Sequence, residues 1–216
     1  MICDHTSNVF IGSFSYLNLI GRIAFPIFAF QLVIGYNNTK DLKKYIIRLI
    51  IFACISQIPL MIFLSTYTNE FLLNIFFTFL LGILAIYNYD KLKNKKYGKL
   101  IGILSIILIA IVAYFIKVDY GAFGIILIFI FYLLNNNKPL MCIAFYILCF
   151  IKYLIYTLIN PTLNFYFLIT NFCTFLSIFL IVLYNGKQGK KIKYFFYIFY
   201  PLHFIILYII KMVFFA

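Results

Sequence analysis

Charge is scarce in this sequence, and acidic charge is scarcer still: 18 lysines and arginines and five aspartates and glutamates stand among 216 residues, of which 66% are hydrophobic. A soluble domain of that length has too little interior to hide so much apolar surface, so lipid is the solvent for most of the chain. Polar and apolar positions do not alternate along the apolar runs, as a transmembrane barrel would require, and the spans are therefore read as helices. Cys3, Cys54, Cys142, Cys149 and Cys173 make no CxxC pair and no Cys/His ligand spacing. Cys142 and Cys149 lie about two turns apart, but two sulfurs do not make a zinc site, so no metal is expected and the cysteines read as small packing residues. No repeat, low-complexity tail or soluble domain is visible. No charged segment, apolar run and small-residue cleavage site open the chain, so no cleavable leader is expected.

The net charge is +13. In a soluble protein that would point to nucleic acid, but here the lysines cluster between apolar segments, so a membrane surface is expected and nucleic acid is not. The apolar runs fall at about 1–12, 20–36, 45–64, 70–89, 99–116, 120–134, 139–159, 164–184 and 194–214. They predict an all-α polytopic bundle of eight or nine spans forming one membrane domain over 1–216. Lys40, Lys43 and Lys44 lie in the second gap, Lys91, Lys93, Lys95, Lys96 and Lys99 in the fourth, Lys138 in the next basic gap, and Lys187, Lys190, Lys191 and Lys193 in the last. The alternate gaps, 13–19, 65–69, 117–119 and 160–163, hold only Lys117. By the positive-inside rule the N-terminus and the basic loops are cytoplasmic and the C-terminus lies outside. Richness in Ile, Lys, Asn, Phe and Tyr points to an AT-rich, bacterial genome, and hence to a bacterial cytoplasmic membrane. Segment 1–12 is too short to cross about 30 Å of hydrocarbon at 1.5 Å per residue, so the first span is expected to be a half-span or to lack part of its length.

Asp4, His5 and Arg22 are unusual in such surroundings. A charged side chain at the centre of a membrane helix costs roughly 2.5–3.5 kcal/mol on insertion scales, and such residues commonly face an interior cavity. His5 is suited to take and return a proton near neutral pH, which makes it the foremost candidate for a general base. Adjacent helical residues point about 100° apart, so Asp4 suits Arg22 as a counter-ion better than it orients His5. A buried ion pair that only fixes packing, with His5 bonded to a backbone carbonyl, is the competing reading. Lys44 and Arg48 share a helical face at the cytoplasmic boundary and can hold phosphate, or can snorkel to headgroups. Gln57 can bind an acceptor or cross-link helices. His203 follows Pro201, which removes a helical hydrogen bond, and either lines a cavity or is satisfied by a backbone oxygen. Lys152 is expected to snorkel, and Asp119 to cap a helix.

The stretches CDH, GRIAFPIFAFQLVIGY and KKYIIRLIIFACISQIP between Asp4 and Pro59 resemble the TraX family. The resemblance runs on through NIFFTFLLG at 74–82 and DYGAFGIILIFIFY at 119–132 to FYPLHFIILY at 199–208. A fainter similarity links the chain to membrane acyltransferases that acetylate sugars. The TraX resemblance implies acetylation of a pilin N-terminus, with acetyl-CoA as donor and an amine or hydroxyl acceptor on a pilin-like protein or an envelope glycan. It also places Asp4, His5, Arg22, Arg48, Gln57 and His203 on the family's motifs. Asp4, His5, Arg22 and His203 are accordingly expected to be catalytic, Lys44 and Arg48 to hold the donor, and Gln57 and Tyr200 to hold the acceptor. The other reading is a transporter or pilus-assembly factor. A transporter commonly shows paired broken helices in two repeats, and no such symmetry is present.

Overall fold

The computed structural model describes residues 1–11, 15–68, 70–160, 164–187, 189 and 194–214. Lys190, Lys191 and Lys193 of the last basic gap and parts of the gaps 13–19, 65–69 and 160–163 lie outside the described residues. Among the described residues every regular element is a helix, and the extended pairing is a lone bridge between Leu73 and Val118. The elements are α1 (Ile2–Thr6), a π-helical turn (Ser7–Ile11), α2 (Tyr16–Gly21), α3 (Ala24–Asn38), α4 (Leu42–Leu64), α5 (Ile75–Leu92), α6 (Gly98–Phe115), α7 (Gly121–Leu134), α8 (Lys138–Ile159), α9 (Asn164–Val182) and α10 (Phe195–Phe214).

Among the described residues seven segments are long and apolar enough to cross a membrane: Tyr16–Asn38, which joins α2 to α3, then α4, α5, α6, α8, Phe165–Val182 and α10. α7 is apolar but has only 14 residues. The first segment is short. Its five α-helical and five π-helical residues rise about 15 Å, half the hydrocarbon core. Each expected span therefore has a helical counterpart, and the chain is a multi-pass membrane protein.

The helices gather into two compact units. One comprises Met1–Phe28, Ile55–Glu70 and Phe145–Ala216, the other Ala29–Cys54 and Phe71–Ala144. In the second unit α5, α6 and α7 pack closely. A Cβ at Gly82 would come within 2.6 Å of the Ile128 side chain, so α5 and α7 meet closely at this glycine and a larger residue would require Ile128 to move. Ala85, Ile106, Ala110, Ala113 and Ile125 fill the space between the three helices. Lipid tails are as apolar as these side chains, so dense packing rather than escape from water holds such an interface. Asn74 caps α5 by accepting from the Phe76 N–H at 3.0 Å, and its amide donates to the Ala53 carbonyl at 2.7 Å. The backbone N–H of Asp119 donates to the Leu73 carbonyl at 2.8 Å, and its carbonyl accepts from the Thr78 hydroxyl. Asp119 thus ties the 71–74 segment to the start of α7 through its backbone.

The second unit's ion pairs lie at the ends of α4 and α5. Asp41 precedes α4 and accepts from the Lys44 N–H at 2.9 Å. That hydrogen bond, reinforced by the Lys44 ammonium, holds the Asp41 carboxyl below its usual range. The cap therefore stabilises α4 above the unfolded carboxylate pKa and is lost as pH falls through the lower folded value. At the end of α5, Asp90 accepts from Tyr36 at 2.8 Å, from Lys93 at 2.6 Å, and from Tyr132.

The first unit has a different interior. Buried Ser7, Asn18, Ser56, Thr170, Asn171, Thr174, Ser177 and His203 belong to it, against Asn74 and Thr78 in the second. Polar groups withdrawn from both water and lipid mark this unit as the place to look for chemistry.

Candidate functional site

The site begins with a helical hairpin. Gly21 lies against Asp4, Asn18 bonds to Asn8, and Ser15 bonds to Ser7 at 2.6 Å, so α1 with its π turn runs antiparallel to α2. The pairing requires a glycine. A Cβ at position 21 would sit 2.5 Å from the Asp4 Cβ and 2.9 Å from its backbone nitrogen. Gly21→Ala is accordingly expected to push α1 away and cost about 1–3 kcal/mol, as overpacking does. A thermal midpoint in detergent unchanged from wild type would contradict this close approach.

Within the hairpin, Asp4 and Arg22 pair at 3.2 Å, with side chains 13% and 32% exposed. Asn18 organises the pair. Its amide donates to Asp4 and, at 3.3 Å, to Asn8, while its carbonyl accepts from the Tyr166 hydroxyl at 2.8 Å and from the Arg22 guanidinium at 3.4 Å. Both charges are thereby hydrogen-bonded as well as paired, the condition under which an ion pair is tolerated out of water. The sequence reading did not include Asn18. The available signal was its spacing: Asn18 precedes Arg22 by one helical turn.

His5 and His203 form the second cluster. Their ring centroids are 5.4 Å apart, and the His5 ring also meets Phe204 at 4.7 Å and Phe63 at 5.7 Å. Tyr200, buried, stands edge-on to His203 at 5.4 Å. His203 is 3% exposed, and its Nδ1 lies 3.2 Å from the Phe199 carbonyl. A carbonyl can only accept, so Nδ1 carries the proton and the lone pair is on Nε2. That Nε2 is buried without a hydrogen-bond partner, as is His5 Nδ1. The chain's two histidines, 198 positions apart in sequence, therefore share one aromatic box. His203 precedes Lys211, whose Nζ donates to the Thr66 carbonyl, by eight residues along α10, about 12 Å of rise. The box thus lies about 12 Å along α10 from the Lys211 contact, inside the first unit.

A family model described as TraX protein matches residues 1–211. The chain belongs to the TraX family. No curated protein and no solved structure matches it.

The TraX chain also holds a cavity in the first unit, of about 470 Å³. Arg22, Asn18 and Asn8 from the hairpin, Tyr67 after α4, Lys152 and Tyr156 of α8, and Tyr166, Phe167, Thr170 and Thr174 of α9 line it. Neither histidine is among them. Lys152 was expected to snorkel toward headgroups. Instead it is directed into this lining, with its Nζ 5.7 Å from the centroid of the Phe167 ring.

Gln57, partly buried in α4, belongs to the first unit with Tyr200. Lys44 and Arg48 belong to the second. Lys44 is exposed and pairs with Asp41 at 3.1 Å, while the Arg48 guanidinium lies 5.7 Å from the Tyr45 ring centroid, with its Nε buried and without a hydrogen-bond partner. Among the described residues no group of three His, Cys, Asp or Glu side chains is placed to hold a metal.

Proposed function

We propose that this TraX protein is a membrane acetyltransferase that moves an acetyl group from acetyl-CoA to an amine or hydroxyl of a pilin-like protein or an envelope glycan. The observation that carries the reading is the histidine pair. One imidazole has its tautomer set by the Phe199 carbonyl and its Nε2 lone pair buried, and the second imidazole lies beside it. A buried, oriented imidazole whose lone pair accepts no hydrogen bond has the form of a general base. Nε2 of His203 takes the proton of the acceptor as its nitrogen or oxygen attacks the thioester carbonyl. The carbon–sulfur bond breaks, and CoA leaves as a thiolate that recovers the proton. A thioester is already activated, so positioning and one base suffice. His5 relays the proton, Arg22 supplies positive charge for the developing oxyanion, and Gln57 and Tyr200 hold the acceptor.

Lys44 and Arg48 take the phosphates of CoA in this reading. Arg48 has a buried Nε awaiting an acceptor, and an exposed ammonium stands one turn before it. Arg48→Ala is expected to weaken acetyl-CoA binding about tenfold, and added salt to weaken wild-type binding. Lys117→Gln, at a lysine-poor turn, should leave binding unchanged. Equilibrium binding with radiolabelled acetyl-CoA measures both, and absence of binding to the wild type would overturn the acetyltransferase reading.

The protein sits in the bacterial cytoplasmic membrane with its basic loops in the cytoplasm. Cysteines introduced at Lys93 and at Ser65, in a variant stripped of its own reactive thiols, are expected to react with an impermeant reagent from opposite sides. Labelling of both from one side would refute that orientation.

A further inference from the structure

The cavity of the first unit and the histidine box lie on two sides of one aromatic side chain. Tyr67 lines the cavity. Its ring stands edge-on to Phe63 with centroids 5.5 Å apart, and Phe63 in turn meets His5 at 5.7 Å and Phe204 at 5.3 Å. The hairpin repeats the arrangement: Asn18 and Arg22 line the cavity, and both meet Asp4, the neighbour of His5 in α1. Asp4 is fixed by its ion pair and hydrogen bond, whereas Phe63 is held by ring contacts. We infer that Phe63 is the partition between the two spaces and that its ring decides what reaches the histidines from the cavity.

The inference rests on the acetyltransferase reading for the work that the histidines do, and it meets a requirement of that reading. Arg22, which faces the developing oxyanion, is on the cavity side, while Nε2 of His203, which takes the proton, is in the box. One thioester carbonyl and its attacking acceptor must come within reach of both, since reacting atoms are held about 3–3.5 Å apart. Phe63, wholly buried, interrupts that reach. It is also placed to move. It lies in the last turn of α4, and its carbonyl accepts from the Thr66 N–H at 3.2 Å and the Thr66 hydroxyl at 2.7 Å, where the helix gives way to a turn. Edge-to-face ring contacts are individually weak, so a change of side-chain rotamer swings the ring aside without breaking a hydrogen bond or an ion pair. In the closed position the ring keeps water from the base, which protects an activated thioester from hydrolysis. Phe63 thus sets specificity by admission and takes no part in the chemistry itself.

The test uses the full chain purified without a histidine tag, so that its two histidines are the imidazoles open to diethyl pyrocarbonate. The reagent transfers an ethoxycarbonyl group to an unprotonated imidazole nitrogen, releasing ethanol and carbon dioxide, and mass spectrometry reads the rate at His5 and His203 without any turnover. Phe63→Ala is expected to raise that rate at least about tenfold over wild type. Phe76→Ala, which removes a buried ring from the second unit, should leave it unchanged. The route is tested with Lys152→Cys in a variant stripped of its own thiols. Labelling that cysteine with a bulky maleimide fills the cavity and should return the rate in Phe63→Ala to near that of wild type. Should Phe63→Ala fail to fold, two other variants are expected to raise the rate in the same direction. Phe63→Leu keeps most of the apolar volume without the ring, and Tyr67→Ala thins the partition from the cavity side. An unchanged rate in every variant that folds, an equal rise in Phe76→Ala, or a rise that the cavity label does not reverse would each overturn the inference. Acetyl-CoA hydrolysis separates the partition from the acetyltransferase reading. Water admitted to the box attacks the thioester carbonyl, the carbon–sulfur bond breaks, and acetate and CoA leave. Phe63→Ala should therefore release the CoA thiol faster than wild type when no acceptor is present. Faster histidine modification without thioester cleavage or acetyl-CoA binding leaves the partition and removes the transferase, and acetyl-CoA binding with unchanged histidine reactivity does the reverse.

Discussion

His203→Ala is expected to lower acetyl transfer about 10²–10⁴-fold while leaving acetyl-CoA affinity within a few-fold of wild type, the signature of a lost general base. Size alone does not explain such a loss, because His203→Phe would keep the ring contacts with Tyr200 and Phe204 and should be as inactive. His5→Ala should fall in the same direction, since its ring lies 5.4 Å from His203 and its Nδ1 is also without a partner. The measurement is radiolabelled acetyl transfer by purified variants with donor binding checked in parallel. Near-wild-type turnover in His203→Ala with loss in His5→Ala would move the base to His5, the candidate the sequence placed first. Retained turnover in both would remove the histidine pair from the mechanism.

The second large effect concerns stability. Asp4→Ala leaves Arg22 without the carboxylate at 3.2 Å and deprives the Asn18 amide of one of its two acceptors, leaving Asn8. Breaking a buried pair from one side costs about 3–5 kcal/mol, and Arg22, with a third of its side chain exposed, belongs at the lower end of that range. The expected result is a fall in thermal midpoint and in the yield of monodisperse protein, with activity falling beyond what the yield explains. The double variant Asp4→Ala, Arg22→Ala should be less destabilised than the sum of the two single variants, because the second change removes the stranded charge left by the first. Strict additivity would show that the two residues do not act as a pair.

Much of the architecture can be read from residues alone. The lysine clusters and the lengths of the apolar runs delimit the helices, since a span must be both apolar and long enough. The short first segment is equally plain: Met1 to Ile11 cannot reach across the core at helical rise. Lys152 shows the limit of such reading. One lysine near the end of an apolar run looks the same whether it snorkels or turns inward, and only the neighbouring Phe167, Tyr156 and Arg22 decide between them. Asn18 is a similar case. An uncharged residue in a gap between spans draws no attention until Asp4, Asn8, Arg22 and Tyr166 are found bonded to it.

By itself the sequence determined that this is a helical, multi-pass membrane protein, which residues carry charge where charge is expensive, and, through motifs spread from Asp4 to Tyr208, the TraX family. Those properties depend on composition and on order along the chain, which transfer energies and helical rise convert directly into spans. Only the tertiary structure decided that His5 and His203, from opposite ends of the chain, share one aromatic box, that Asn18 holds the ion pair, and that Lys152 and Arg22 line one cavity. Those facts depend on which helix faces which. A sequence that is apolar on nearly every face of its helices leaves that choice to close packing and to the few polar groups that must find partners away from water.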